Sequence, residues 1–151
     1  MTRRRPRLYV DLDNTLICGD VGDNQVVVYK RPGATRFLRW LASFGDVFLL
    51  THGTREHAKK SLEVTGFGSF FKGVIAREDL SRVTPGKGPK IASRGYMFDD
   101  FPVGSWLYDL KATAIGIGPE HWIQVDYFGP GAPDEGGLAK AAKELARRVG
   151  A

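Results

Sequence analysis

The stretch that decides the fold is Leu8–Ile17, "LYVDLDNTLI". It opens on Leu8, Tyr9 and Val10, an apolar run that reads as a buried strand over about Leu8–Leu12. Asp11 and Asp13 stand where the run ends, and Thr15 follows two residues later. A buried carboxylate is costly unless it is paired or holds a metal. Two of them at the mouth of a core strand therefore call for a compensating partner. The chain can build such a core: of its 151 residues 42% are hydrophobic and 26% charged, the balance of a globular domain.

Outward from this strand, short apolar runs alternate with helical segments, the pattern of βαβ units and a mainly parallel α/β sheet. "NQVVVYK" (24–30) reads as half of a β-hairpin. "RPGATRFLRWLASFG" (31–45) reads as a helix with Phe37, Leu38, Leu41 and Phe44 on its apolar face. The strand "DVFLLT" ends at Thr51, and a second helix follows with Thr54 as N-cap and Gly66 as its stop. "KGVIA" is a third strand, and the polar stretch after it has room for one or two helical turns. "RGYMFDD" is a fourth strand, again ending in two aspartates, Asp99 and Asp100. "ATAIGIG" (112–118) is expected as a fifth strand and "WIQVDYF" (122–128) as a sixth at an edge. A last helix is expected over Gly137–Val149.

The length suits a single domain over 1–151. Arg3, Arg4, Arg5 and Arg7 give part of the net charge of +5 and make residues 1–7 a basic tail, read first as solvated and free to be disordered, second as a polyanion contact. No apolar run approaches the roughly 20 residues that span a bilayer. The apolar stretch before Asp11 is also too short for a signal peptide. A soluble cytoplasmic protein with no membrane partner is expected. Cys18 is the one cysteine, so an intramolecular disulfide is excluded and a thiolate metal site disfavoured.

The chemistry is expected where strands end. In an open parallel sheet the ligand crevice lies outside the carboxyl ends of the strands. That rule brings together Asp11 and Asp13, Thr51, and Asp99 and Asp100. Lys87, in the loop before the fourth strand, is the candidate cation, with Lys90 its rival. Pro89 favours Lys87, because proline suits the first position of a helix. So many carboxylates raise one another's pKa unless a cation joins them. An all-oxygen donor set points to Mg²⁺, which also accepts phosphate oxygens. Asp11 is positioned to attack phosphorus, and Asp13 to protonate the leaving alkoxide and then activate water. Thr51, Lys87 and backbone N–H groups after Asp11, at Leu12, and at His52 are the expected phosphate-binding groups. Histidine is assigned no metal role: His52 and His57 are five apart and share no helix face. Asp109 is read as a surface residue.

"DLDNTL", "FLLT", Lys87 and "MFDD", in that order, resemble the four motifs of the haloacid dehalogenase (HAD) superfamily of phosphatases. "RPGATRFLRWLASFGDVFLLTHGTREHA" and the closing "WIQVDYFGPGAPDEGGLAKAAKEL" are similar to the NLI-interacting-factor-like branch, the RNA polymerase C-terminal-domain phosphatases. The resemblance implies a Rossmann-like three-layer sandwich, Mg²⁺ dependence, Asp11 as nucleophile and Asp13 as acid/base. It also implies metal ligation by Asp11, by the Asp13 backbone carbonyl and by the pair Asp99 and Asp100, with Asp100 preferred. The Asp-Asp pair is itself similar to that of polynucleotide 3′-phosphatases.

Segment lengths leave room for a hairpin flap but not for a cap domain over the site. An open cleft suits an exposed phosphate on a macromolecule, either a phosphoprotein or a nucleic-acid 3′ end. A phosphatase of small nucleotides or sugar phosphates, and a non-catalytic phosphate-binding module, stay open as alternatives.

Overall fold

The computed structural model describes residues 5–21, 26–83, 95–131, 134 and 136–150. Five parallel strands form the sheet: β1 (Arg7–Val10), β4 (Asp46–Leu50), β5 (Gly73–Ile75), β6 (Tyr96–Asp99) and β7 (Trp122–Gln124), in the order β5-β4-β1-β6-β7. Strands β2 (Ile17–Val21) and β3 (Val26–Lys30) pair antiparallel as a separate hairpin between β1 and the first helix. The helices are α1 (Ala34–Phe44), α2 (Arg55–Thr65), α3 (Arg77–Leu80), α4 (Trp106–Ile115) and α5 (Gly137–Val149). The expected α/β sandwich with a mainly parallel sheet and a short hairpin flap is the observed fold. Among the described residues no cap domain covers it.

Side chains along a strand alternate between faces, and the core divides accordingly. Leu8, Val10, Val47, Leu49, Phe98 and Ile123 face a cluster completed by Phe37, Leu38 and Leu41 of α1, Ala58 of α2, and Leu138 and Leu145 of α5. Tyr9, Leu50, Met97 and Trp122 face the other side, with Leu80 of α3 and Ile115 of α4. Central β1 is thus covered on both faces, as a parallel sheet requires.

Two expectations need correction. Residues 112–118, expected as a strand, form the end of α4 and the turn after it. Ser105 starts that helix by accepting the Tyr108 N–H, and Gly116 ends it in the left-handed conformation at φ 69°. A short apolar run cannot be assigned to strand or helix by periodicity alone. Here the buried Leu107, Lys111 and Ile115, four residues apart, mark one helix face. Second, the basic tail is shorter than read. Arg7 opens β1, and the Arg5 guanidinium binds Asp46 and the carbonyls of Ala42 and Gly45. The remaining tail, 1–4, lies outside the described residues.

Candidate active site

β1 lies between β4 and β6, with Val10 in register with Leu49 and Phe98. Asp11 therefore emerges beside the ends of both neighbours, and its N–H is held by the Phe98 carbonyl at 2.9 Å. By the strand alternation Asp11 and Asp99 both lie on the α4 side of the sheet. Lys111 rises between them from α4. Its Nζ is 3.0 Å from Asp11 Oδ1 and 2.6 Å from Asp99 Oδ2, and none of its side chain reaches solvent.

Asp100 completes the cluster: Asp11, Asp99 and Asp100 each offer an oxygen within 4.8 Å of the others. Thr15 Oγ1 lies 3.0 Å from Asp11 Oδ2 and 3.2 Å from Asp100 Oδ1, so its single hydrogen serves one carboxylate at a time. Asp99 Oδ1 accepts the Phe101 N–H at 2.9 Å.

The electrostatics follow from this crowding. Burial, then the Asp11 charge, raise Asp99 to about 6 in spite of Lys111. Burial, hydrogen bonding to Asp11 and the charges of Asp11 and Asp99 push Asp100 up to about 8. Burial works to depress Lys111, but Asp11 and Asp99 outweigh it and hold the ammonium above the ordinary lysine value. Among the described residues, ionising all three carboxylates against one ammonium would leave two negative charges over. The donor set is all oxygen and the excess charge matches a divalent cation, so these residues fit a hard metal ion.

Asp13 does not join this cluster. The chain turns sharply after it, with Asn14 at φ 63°, a left-handed conformation that asparagine tolerates better than most residues. Asn14 is clasped by Phe128: its Nδ2 donates to the Phe128 carbonyl and its own carbonyl accepts the Phe128 N–H. Buried Arg31 supports the same turn by donating to the carbonyls of Thr15 and Asp126 and pairing with Asp134. The Asp13 carboxylate, 39% exposed, instead meets His57 of α2, with Nε2 at 3.0 and 3.2 Å from its two oxygens.

Thr51 sits at the end of β4, its N–H held by the Ile75 carbonyl and its hydroxyl accepting the Gly53 N–H at 3.0 Å. A methyl group at Gly53 would stand 3.2 Å from Thr51 Oγ1, 3.5 Å from Asp13 Oδ2 and 3.0 Å from the His57 ring. These three side chains therefore meet around one glycine. Leu12 is fully buried between the two aspartates. The His52 carbonyl accepts from Arg77 Nε, while its ring packs edge-on against exposed Trp106. Burial, Arg77 and Lys111 lower the His52 pKa, so that ring is neutral at pH 7. Asp109 is exposed on α4 and Cys18 is buried, consistent with packing.

Lys87 and Lys90 lie outside the described residues. Lys111 was not singled out from sequence, although it falls on the apolar stripe of α4, where a cation needs a buried acid. No pattern in the sequence links His57 to Asp13.

A model of NLI interacting factor-like phosphatases matches residues 6–90, the segment running from β1 through the hairpin, Thr51 and α3. The chain belongs to this family. Among solved structures, this NLI interacting factor-like chain is similar to fission yeast RNA polymerase II CTD phosphatase Fcp1 bound to beryllium fluoride. The identity is 18% and the TM-score 0.57, over 96% of this chain and 51% of that one. A second structure of Fcp1, described as an essential RNA polymerase II CTD phosphatase, gives 20% identity and TM-score 0.60 over 96% and 49%. A haloacid dehalogenase-like hydrolase from Xanthomonas campestris gives 14% and 0.59 over 99% and 100%. The chain spans about half the length of the Fcp1 chains it matches. No curated protein matches the chain. Among the described residues, no helix is long and apolar enough to cross a membrane.

Proposed function

We propose that the protein is a Mg²⁺-dependent phosphomonoesterase that works through an aspartyl-phosphate on Asp11. Its substrate is an exposed phosphate on a macromolecule, a phosphoprotein ahead of a nucleic-acid 3′ end. The observation that carries the reading is the placement of Asp11. It lies at the end of the central strand, inside a cluster that fits a divalent cation and beside a buried ammonium. Support for a phosphoprotein comes from the family and from Fcp1, whose name assigns it the RNA polymerase II CTD. The absence of a cap among the described residues supports a bulky substrate.

Asp11, Asp99 and Asp100 would hold the metal, together with the Asp13 backbone carbonyl. Bound there, Mg²⁺ would neutralise carboxylate charge and draw phosphate oxygens toward Asp11. An Asp11 oxygen attacks phosphorus as the ester P–O bond breaks, and Asp13 donates a proton to the departing oxygen. Asp13, now a carboxylate, takes a proton from water as that water attacks phosphorus and the Asp11–phosphorus bond breaks. Lys111 orients Asp11 through its 3.0 Å contact with Oδ1. Thr51 and the backbone N–H groups of Leu12 and His52 bind the non-bridging oxygens, with Lys87 or Lys90 as a further cation.

The test is hydrolysis of an aryl phosphate with and without Mg²⁺ by the protein and by Asp11→Asn. Activity that needs Mg²⁺ and is abolished in the variant is the expected result; equal rates would overturn the mechanism. A panel of phosphoserine and phosphotyrosine peptides, 3′-phosphorylated oligonucleotides and free nucleotides then ranks substrates by kcat/KM. Mononucleotides well above the peptides would overturn the macromolecular assignment.

A further inference from the structure

Asp13 needs something that Asp11 does not. Asp11 is buried and held by Lys111 and Thr15. Asp13 is 39% exposed, set on a tight turn, and its carboxylate could sample several rotamers. An acid must point at the leaving oxygen in the reacting complex to be effective.

We propose that His57 is the positioning residue of Asp13, an inference that rests on the acid/base role assigned above. With Nε2–H donated to one Asp13 oxygen, the other oxygen is left to carry the proton toward the leaving group. His57 itself passes no proton to substrate.

Three features fix the imidazole. His57 is the third residue of α2, and its backbone N–H is tied to the N-cap hydroxyl of Thr54 at 3.2 Å. That N-cap lies three residues past Thr51, so the ring's origin is set by the strand end that lines the site. Gly53 leaves the space: a methyl there would stand 3.0 Å from His57 Cδ2, closer than carbon atoms normally approach. The same ring edge carries Nε2 toward both oxygens of Asp13. The cradle thus combines a capped helix start, a side-chain-free position and an imidazole of one reach.

A leaving-group comparison tests this. 4-Nitrophenolate departs with little help from an acid, whereas the more basic phenolate depends on protonation. His57→Ala should lower kcat/KM for phenyl phosphate about tenfold more than for 4-nitrophenyl phosphate, part of the roughly 10²–10⁴-fold that a general acid supplies. His57→Gln, whose amide can donate from a similar place, should recover most of the difference. Asp13→Asn should show the same selectivity in larger measure. If Asp13→Asn is selective while His57→Ala slows both substrates alike or neither, the positioning role is wrong and the Asp13 assignment stands. If Asp13→Asn is itself unselective, the acid assignment fails and the role of His57 falls with it. Thermal melts of each variant identify any that fail to fold, and His57→Gln keeps the comparison available if His57→Ala does not.

Discussion

The two aspartates of "DLD" stand two residues apart and live in opposite conditions. Asp11 faces the α4 side, buried, with an ammonium, a hydroxyl and two further carboxylates around it. Asp13 stands past the strand, part-exposed, against one imidazole from α2. The difference comes from solvent. Water screens an exposed carboxylate and needs little help from the protein. A buried one must find its compensation in the fold. The Asp11 side is therefore built by stability, whereas the Asp13 side is held by a contact of small energy.

The comparison can be broken most directly at Lys111. Lys111→Met should destabilise the fold by about 3–5 kcal/mol, because removing one member of a buried ionic cluster strands the others. It should also depress kcat at least about tenfold through a misplaced Asp11. His57→Ala, by contrast, should cost about 1 kcal/mol, the scale of a part-exposed, solvent-screened pair. Denaturant melts of the two variants check this, and equal losses would remove the contrast between the two sides.

The second effect is a pH dependence confined to the buried side. In the metal-free protein Asp99 titrates near 6 and Asp100 near 8, both above the ordinary carboxyl value of 3.8. The folded state then holds protons that the unfolded chain has already released. Their contribution to stability is fully present below about pH 4 and is lost as pH rises through 6 and then 8. A divalent cation would replace those protons. The gain in Tm from Mg²⁺ over chelator should therefore be small near about pH 5 and largest above about pH 8. A gain independent of pH would place the ion elsewhere.

The smallest effect probes the scaffold of the Asp13 side. Ser61 Oγ, on α2 four residues after His57, is buried and has no hydrogen-bond partner among the described residues. Ser61→Ala should leave kcat unchanged and raise stability by up to about 1 kcal/mol, since an unpaired buried hydroxyl is unfavourable. A drop in kcat would instead show that α2 transmits small packing changes to His57.

Local pattern carried much of this protein. Apolar runs placed β1, β4, β5, β6 and β7, and caps and periodicity placed α1, α2 and α5. The rule that parallel strands open their crevice at the carboxyl ends points to Asp11, Asp13, Thr51, Asp99 and Asp100, of which Asp11, Asp99 and Asp100 share one carboxylate cluster. Those signals are legible because they repeat along the chain at the spacing of the element that makes them. Tertiary structure alone decided three things: that 112–118 ends a helix, that Lys111 is the ammonium between Asp11 and Asp99, and that His57 holds Asp13. Each depends on which faces pack together, and short apolar stretches and single charged residues do not encode their partners. Lys111 meets Asp11 across 100 residues of sequence and His57 meets Asp13 across 44. Only packing of α4 and α2 on opposite faces of the sheet brings each pair within reach.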